Sequence, residues 1–310
     1  MNDALGDPAR LAALAASGLL DSPPEKAFDR FTRLAAEVLG VPVALFTLVT
    51  PDRQVFKSSV GLGELRETPL SHSFCRHVVE AGAPLEVVDA RTHPRVHDNP
   101  AIQDFGIIAY LGMPLVTAGG VRLGSLCAVD HAPRQWTGRD HGVLEDLAAA
   151  VMAEVELRQA NRQVAAAAAE LHFAATHDSL THVGNRRALL ADLAVVLHDR
   201  RHATLLVLDL EGVREFNDAH GHAEGDGLLT RLAERLEAAV VADGHVYRLG
   251  GAHFCALVAG AAADSVIAAA ATAVEQRGDG VFARVAAVEL PREAADADAA
   301  LRLAGARLAR

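Results

Sequence analysis

Two mixed α/β (α+β) domains with a long helix between them make up the fold class the sequence predicts, on three observations. The 310 residues suit two domains of ordinary size, each long enough to bury its own core. The first half alternates helical with strand patterns, and a helical pattern then runs from about Gly138 to Ala175.

Asp21-Ser22-Pro23-Pro24-Glu25 is a helix-start signal, and the apolar residues Phe28, Phe31, Leu34, Ala35 and Val38 that follow lie on one helical face. Val41 to Val49 reads as a buried strand, with Gln54 to Ser59 as its hairpin partner across Thr50-Pro51-Asp52-Arg53. A helix at about 71–82 comes next. Strands follow at Leu85–Asp89, Ile107–Val116 and Val121–Asp130, the last two joined by Thr117-Ala118-Gly119-Gly120.

In the long helical pattern, Leu144, Leu147, Val151 and Val155 keep the spacing of a face packed on a sheet. Beyond them Leu157, Val164 and Leu171 recur every seven residues, as in a short coiled-coil seam. Alanines 165–169 sustain the helix but give a partner little area to bury, so the expectation is a signalling stalk that makes a weak, switchable homodimer. The alternative is a single helix that caps the sheet and then runs exposed.

Composition excludes several classes. Although 51% of the residues are hydrophobic, no run approaches the roughly 20 apolar residues of a membrane-spanning helix. Met1-Asn2-Asp3-Ala4 opens without a basic region leading into an apolar core, so cytoplasmic location is expected, with no membrane partner. A net charge of −11 opposes nucleic-acid polymers as partners. Cys75, Cys127 and Cys255 form no Cys-x-x-Cys pair, which argues against a zinc site or a disulfide framework and for reduced thiols.

Five segments of the first half carry a family likeness: Leu19-Leu20-Asp21-Ser22-Pro23-Pro24, Phe56-Lys57-Ser58-Ser59-Val60-Gly61-Leu62, Ser73-Phe74-Cys75-Arg76-His77, Asp98-Asn99-Pro100 and Leu123-Gly124-Ser125-Leu126-Cys127-Ala128-Val129-Asp130. Residues 5–155 thereby resemble a GAF domain, a small-molecule and redox sensing module. The resemblance implies a central antiparallel sheet flanked by helices around a ligand cavity, with the ligand itself unspecified. It places Cys75 and His77 on the helix that walls the cavity and Cys127 in the strand that floors it. Two thiols facing one cavity suit redox sensing or metal binding; the plain alternative is that each packs as a small hydrophobe.

Five more segments recur in the second half: His177-Asp178-Ser179-Leu180-Thr181, Gly184-Asn185-Arg186-Arg187, Val207-Leu208-Asp209-Leu210-Glu211, Asn217 through Asp226, and Tyr247-Arg248-Leu249-Gly250-Gly251. Their order resembles the GGDEF (diguanylate cyclase) family over residues 176–310, an α/β domain like the nucleotidyl cyclases. Helix 138–175 is then the linker, overlapping the end of the GAF-like part.

That family joins two GTP molecules, one held on each subunit of a dimer, by attack of a ribose 3′-hydroxyl on an α-phosphate. Such chemistry is mostly positioning and charge neutralisation by Mg²⁺ on carboxylate oxygens. The resemblance puts the metal ligands at Asp209, with Glu211 as the second strand carboxylate, and at two acidic loop positions. The loop here reads Gly250-Gly251-Ala252-His253-Phe254, with no carboxylate. A hybrid site of Asp209 and His253 for Mn²⁺ or Zn²⁺ is the exception imidazole allows.

Asn217 and Asp226 match the family's guanine readers, because a carboxylate accepting from N1 and N2 hydrogens selects guanine over adenine. Both also suit plain turn and helix capping. Arg214, in the phosphate-cradling turn Gly212-Val213-Arg214, keeps positive charge. On the last helix the family's phosphate-binding Lys and Arg fall on Gly305 and Ala309, with Arg307 or Arg310 as substitutes. The strand Phe282 to Val288 lacks the Ser-x-Gly signature. The product-inhibition window reads Val241-Ala242-Asp243-Gly244, without its arginine.

The expectation is a cyclic di-GMP-type signalling protein whose GAF sensor is coupled to a catalytically inactive GGDEF-like domain. It would act by binding a guanine nucleotide, with Mg²⁺ accompanying any GTP, or by docking a protein partner. One alternative is an active diguanylate cyclase tolerating the altered loop; another is a GAF-centred redox or metabolite switch.

Overall fold

The computed structural model describes residues 4–240, 244–260, 268, 272 and 280–309, and the chain divides into two compact units, Met1–Val164 and Ala165–Arg310. Among the described residues no helix is long and apolar enough to cross a membrane.

The first unit runs α1 (Pro8–Ser17), α2 (Lys26–Leu39), β1 (Val43–Val49), β2 (Arg53–Val60), β3 (Glu67–Pro69), α3 (Cys75–Ala81), β4 (Leu85–Val87), α4 (Ala101–Asp104), β5 (Ala109–Val116), β6 (Arg122–Asp130) and then the part up to Val164 of α5 (Gly138–Thr176). The strands form one antiparallel sheet in the order β3-β2-β1-β6-β5-β4. β1 is buried throughout because both faces are covered. Phe46 and Leu48 pack with Phe28, Leu144 and Val151 on one side, while Val43 and Leu45 pack with Phe74, Val78 and Tyr110 on the other.

In α2 the buried stripe is Phe28, Thr32, Ala35, Ala36 and Leu39, whereas Leu34 and Val38, expected on that face, are exposed. The stripe admits a threonine because its hydroxyl is met by Ser58 Oγ at 2.8 Å. Lys57 is buried beside it, with Nζ 2.7 Å from Glu25 Oε1 and donating to Pro23 O at 2.8 Å and to Ser22 Oγ. Trp136 donates its indole N–H to Val87 O at 3.1 Å, beneath the Arg134 guanidinium. In α5, Leu144, Val151 and Val155 are buried, while Leu157, Val164 and Leu171 are exposed.

The second unit contains β7 (Gly184–Asn185), α6 (Arg186–His198), β8 (Ala203–Glu211), α7 (Val213–His220), α8 (His222–Val240), β9 (Gly244–Gly250), β10 (His253–Ala259), β11 (Phe282–Leu290) and α9 (Ala297–Leu308). Sheet order is β11-β8-β10-β9-β7. Side chains alternate along β8. Leu206 and Leu208 face Leu228, Leu232 and Leu236 of α8, while Leu205 and Val207 face Leu189 and Leu193 of α6 and Ala300 and Ala304 of α9. Of the expected features, Val241-Ala242-Asp243 and Arg310 lie outside the described residues.

Candidate functional site

Asp209 and Glu211 continue the Leu205–Val207 face at the end of β8. Register sets Asp209 opposite His253 of β10 on one side and Arg284 of β11 on the other. His253 Nε2 lies 3.3 Å from Asp209 Oδ1. Arg284 reaches both acids: one terminal nitrogen is 3.2 Å from Asp209 Oδ2 and its Nε is 2.5 Å from Glu211 Oε1. Its other terminal nitrogen donates to Leu308 O at 2.8 Å. Sequence reasoning assigned Arg284 no role beyond its place in the strand that lacks the Ser-x-Gly pattern.

The altered loop keeps its frame. Gly250 and Gly251 adopt φ of 121° and 56°, backbone that favours glycine, and Leu210 N–H donates to Ala252 O at 3.1 Å. Arg248 is buried, donates to Gly251 O from two nitrogens at 3.0 and 2.8 Å, and lies 2.8 Å from Asp178 Oδ1. Partial burial alone would raise the Asp178 carboxyl, but the Arg248 guanidinium and the Thr181 hydroxyl and amide outweigh it and hold it below the usual aspartate range. Asn185 caps α6 through Arg187 N and Ala188 N while donating to Ala175 O. Arg248, held by Asp178, is therefore the strut of the loop, while Asn185 fixes the start of α6.

On the α7–α8 hairpin, Gly212 enters α7 at φ 88°, and a Cβ there would stand 2.2 Å from Gly280 O. The Asn217 carboxamide lies against Gly225, and its buried Oδ1 has no hydrogen-bond partner among the described residues. A buried acceptor left unmet is costly, and it is the kind of atom a ligand donor satisfies. Asp226, the next residue along α8, is exposed, as is Arg214 on α7. The hairpin thus offers an unmet amide acceptor, a carboxylate and a guanidinium.

A divalent ion is not well served at the end of β8. Mg²⁺ wants hard oxygen ligands; here Ala252 supplies none, His253 supplies imidazole, and Asp209 and Glu211 share the Arg284 guanidinium. Among the described residues no three His, Cys, Asp or Glu side chains cluster so as to hold a metal ion. These residues do not fit the metal that the family resemblance implies. Of the substitute cations, Arg307 is held by Glu293 at 2.8 and 3.0 Å. That donation, with the Glu289 amide, pushes the Glu293 carboxyl down to about 2.

In the first unit the thiols of Cys75 and Cys127 are buried with Sγ atoms 3.8 Å apart. The Tyr110 hydroxyl donates to Cys75 Sγ at 3.3 Å. The bond from Cys127, outweighing burial, lowers the Cys75 thiol to about 7, while burial and its neighbour push Cys127 up. The thiols and His77 were expected to face a cavity; their surroundings among the described residues are as follows. A cavity of ≈ 20 Å³ is lined by Leu45, Phe56, Phe105, Ile107 and others, and by none of the three. Phe74, Val78 and Tyr110 close the core around the thiols, and His77 turns to Glu80 and Arg76. In the second unit a cleft of ≈ 400 Å³, lined by His172, His177, His182, Asp192 and His245 among others, contains none of Asp209, Glu211, Asn217 or Asp226.

Known proteins share both halves. The family described as Diguanylate cyclase, GGDEF domain matches residues 175–305, and the GAF domain family matches residues 23–155. A cyclic di-GMP phosphodiesterase of Pseudomonas aeruginosa is 30% identical over 226 residues, covering 71% of this chain and 36% of that protein. Diguanylate cyclase DgcP of Escherichia coli is 31% identical over 158 residues, covering 50% of this chain and 46% of that one. The chain thus spans less than half the length of these two curated relatives. Among solved structures, the coiled coil and GGDEF domain of DgcB from Caulobacter crescentus, in complex with c-di-GMP, is 27% identical with a TM-score of 0.42, covering 54% of this chain and 92% of that one. With both family matches lying in series along it, the chain is a GAF domain followed by a GGDEF domain.

Proposed function

We propose that the GGDEF domain of this chain does not cyclise GTP and that it serves as the nucleotide- or partner-binding output of the GAF sensor. One observation carries this reading: on a loop whose scaffold is intact, the residue facing Asp209 is His253 and its neighbour is Ala252, so the hairpin brings no oxygen ligand to the phosphates. Phosphoryl transfer depends on charge stabilisation by the metal, and removal of its ligands removes that stabilisation. The retained Asn217, Asp226 and Arg214 favour a guanine nucleotide as the bound species. Leu157, Val164 and Leu171, exposed at seven-residue spacing, favour weak pairing of α5 with a second copy. Incubation of the purified chain with GTP and Mg²⁺ or Mn²⁺ tests the reading. No cyclic di-GMP above the level of an Asp209→Ala variant is expected, and accumulation above that level would establish the active cyclase instead.

A second reading, a thiol switch in the GAF domain, rests on the 3.8 Å separation of Cys75 and Cys127. Closing to the disulfide length of about 2.05 Å needs only a small shift. In that step each thiol gives up one proton and one electron as the S–S bond forms, and hydrogen peroxide, whose O–O bond breaks, accepts both pairs to leave two molecules of water. Intact-mass measurement after peroxide treatment checks it. A loss of about 2 Da that thiol reductant reverses and Cys75→Ser abolishes is expected, and an unchanged mass would rule the switch out.

A further inference from the structure

We propose that Arg284 is a built-in counter-ion that takes the place of a divalent metal on Asp209 and Glu211, and so keeps this site metal-free. The inference goes beyond loss of turnover, because it assigns a role to a side chain outside the signature loop. Three facts meet at this residue. Strand register sets it directly opposite Asp209. Its guanidinium spans the two acids at 3.2 and 2.5 Å. Its third nitrogen is tied to Leu308 O at 2.8 Å, which fixes the fork in place.

Charge and competition decide which cation holds the acids. Two carboxylates and one guanidinium leave a formal charge of −1, too little to draw a dication through its hydration shell. Mg²⁺ sheds water reluctantly and is ordinarily held by one or two carboxylates together with substrate phosphates. Without loop oxygens, its affinity for this pair alone would be weak. Arg284 is tethered, and a tethered group acts at an effective concentration of millimolar or more. An exposed ion pair contributes little to fold stability, yet it needs only to outcompete a weakly held ion. A triphosphate arriving without metal would meet, at the end of β8, two acids already neutralised in part by Arg284. Removing the guanidinium would free both carboxylates, with the His253 imidazole 3.3 Å from Asp209 Oδ1, for an ion that accepts oxygen and nitrogen donors.

Mn²⁺ is the probe, titrated into the full chain with no nucleotide and followed by the electron paramagnetic resonance of the free ion. Wild-type chain is expected to bind Mn²⁺ negligibly, and Arg284→Ser to bind it at least about tenfold more tightly. Arg284→Lys, which keeps the charge, is expected to behave as wild type. Adding Asp209→Ala to Arg284→Ser should abolish the gain. Circular dichroism melting of each variant shows that it is folded. Equal affinity in wild type and Arg284→Ser, whether both bind or neither does, would overturn the proposal, as would a gain that survives Asp209→Ala. Failure here is separable from failure of the proposed function: cyclic di-GMP production by the wild type sinks that reading, whereas Mn²⁺ binding that ignores residue 284, without turnover, sinks only this one.

Discussion

A Cβ on residue 225 would stand 1.6 Å from Oδ1 of Asn217, so the Asn217 carboxamide fills the space that the missing side chain of Gly225 leaves. Gly225→Ala must therefore push the Asn217 carboxamide out of its niche. Because the displaced atoms are the end of a flexible side chain, the cost should fall at or below the low end of the about 1–3 kcal/mol of core overpacking, which urea denaturation would register. Calorimetric titration with GTP or GDP should show affinity falling at least about tenfold, the equivalent of roughly 1.4 kcal/mol. Unchanged affinity would remove Asn217 from the nucleotide site.

Arg248→Ala takes away the partner of a largely buried carboxylate, Asp178, and two donors from Gly251 O. The expected loss is about 2–4 kcal/mol, below the range for a fully buried pair because both groups retain some contact with water. The acid response should change with it. Asp178 is held below its ordinary value in the folded chain, so its contribution is complete above the unfolded value of about 3.9 and is lost as pH falls through the folded value. Urea midpoints measured from neutral pH downward should fall less steeply in the variant than in the wild type once the solution is more acidic than the unfolded value.

Asp209→Ala, by contrast, should be nearly silent in stability. Its partners His253 and Arg284 are 57% and 49% exposed, and solvent-screened pairs contribute at most about 1 kcal/mol. A melting temperature close to that of the wild type is expected. A large drop would mean that the carboxylate holds the sheet together.

Lys57→Ala opens a buried hole in the GAF domain and leaves Glu25, Ser22 Oγ and Pro23 O without their shared donor. Glu25 keeps Arg158 as a second partner, which moderates the loss to about 2–4 kcal/mol. Scanning calorimetry would show one of the two unfolding steps moved to lower temperature.

Legibility in the sequence followed range. All strands of the first sheet but the three-residue β3 could be read, because alternation and turn residues are local signals, as at Val43–Val49 and the Thr50–Arg53 turn. Helix α1 went unread although Asp7 caps it and Pro8 opens it, because its alanine-rich apolar spacing is faint. The stripe of α2 was misplaced because a threonine with a hydroxyl partner can sit where an apolar residue was sought. The altered loop was legible as a motif. Arg284 was not, since it meets Asp209 across 75 positions of chain and only strand pairing makes them neighbours. Cys75 and Cys127 were both singled out, but their mutual contact spans 52 positions and their setting in closed core needed coordinates.

The chain's single tryptophan, Trp136, is buried in the first unit, hydrogen-bonded to Val87 O under the Arg134 guanidinium. Indole emission excited at the red edge therefore reports on the GAF half alone, with the GGDEF half optically dark. A shift in that emission when a candidate effector is added would identify a sensor ligand without any label, and its absence with a guanine nucleotide would locate that binding in the other half.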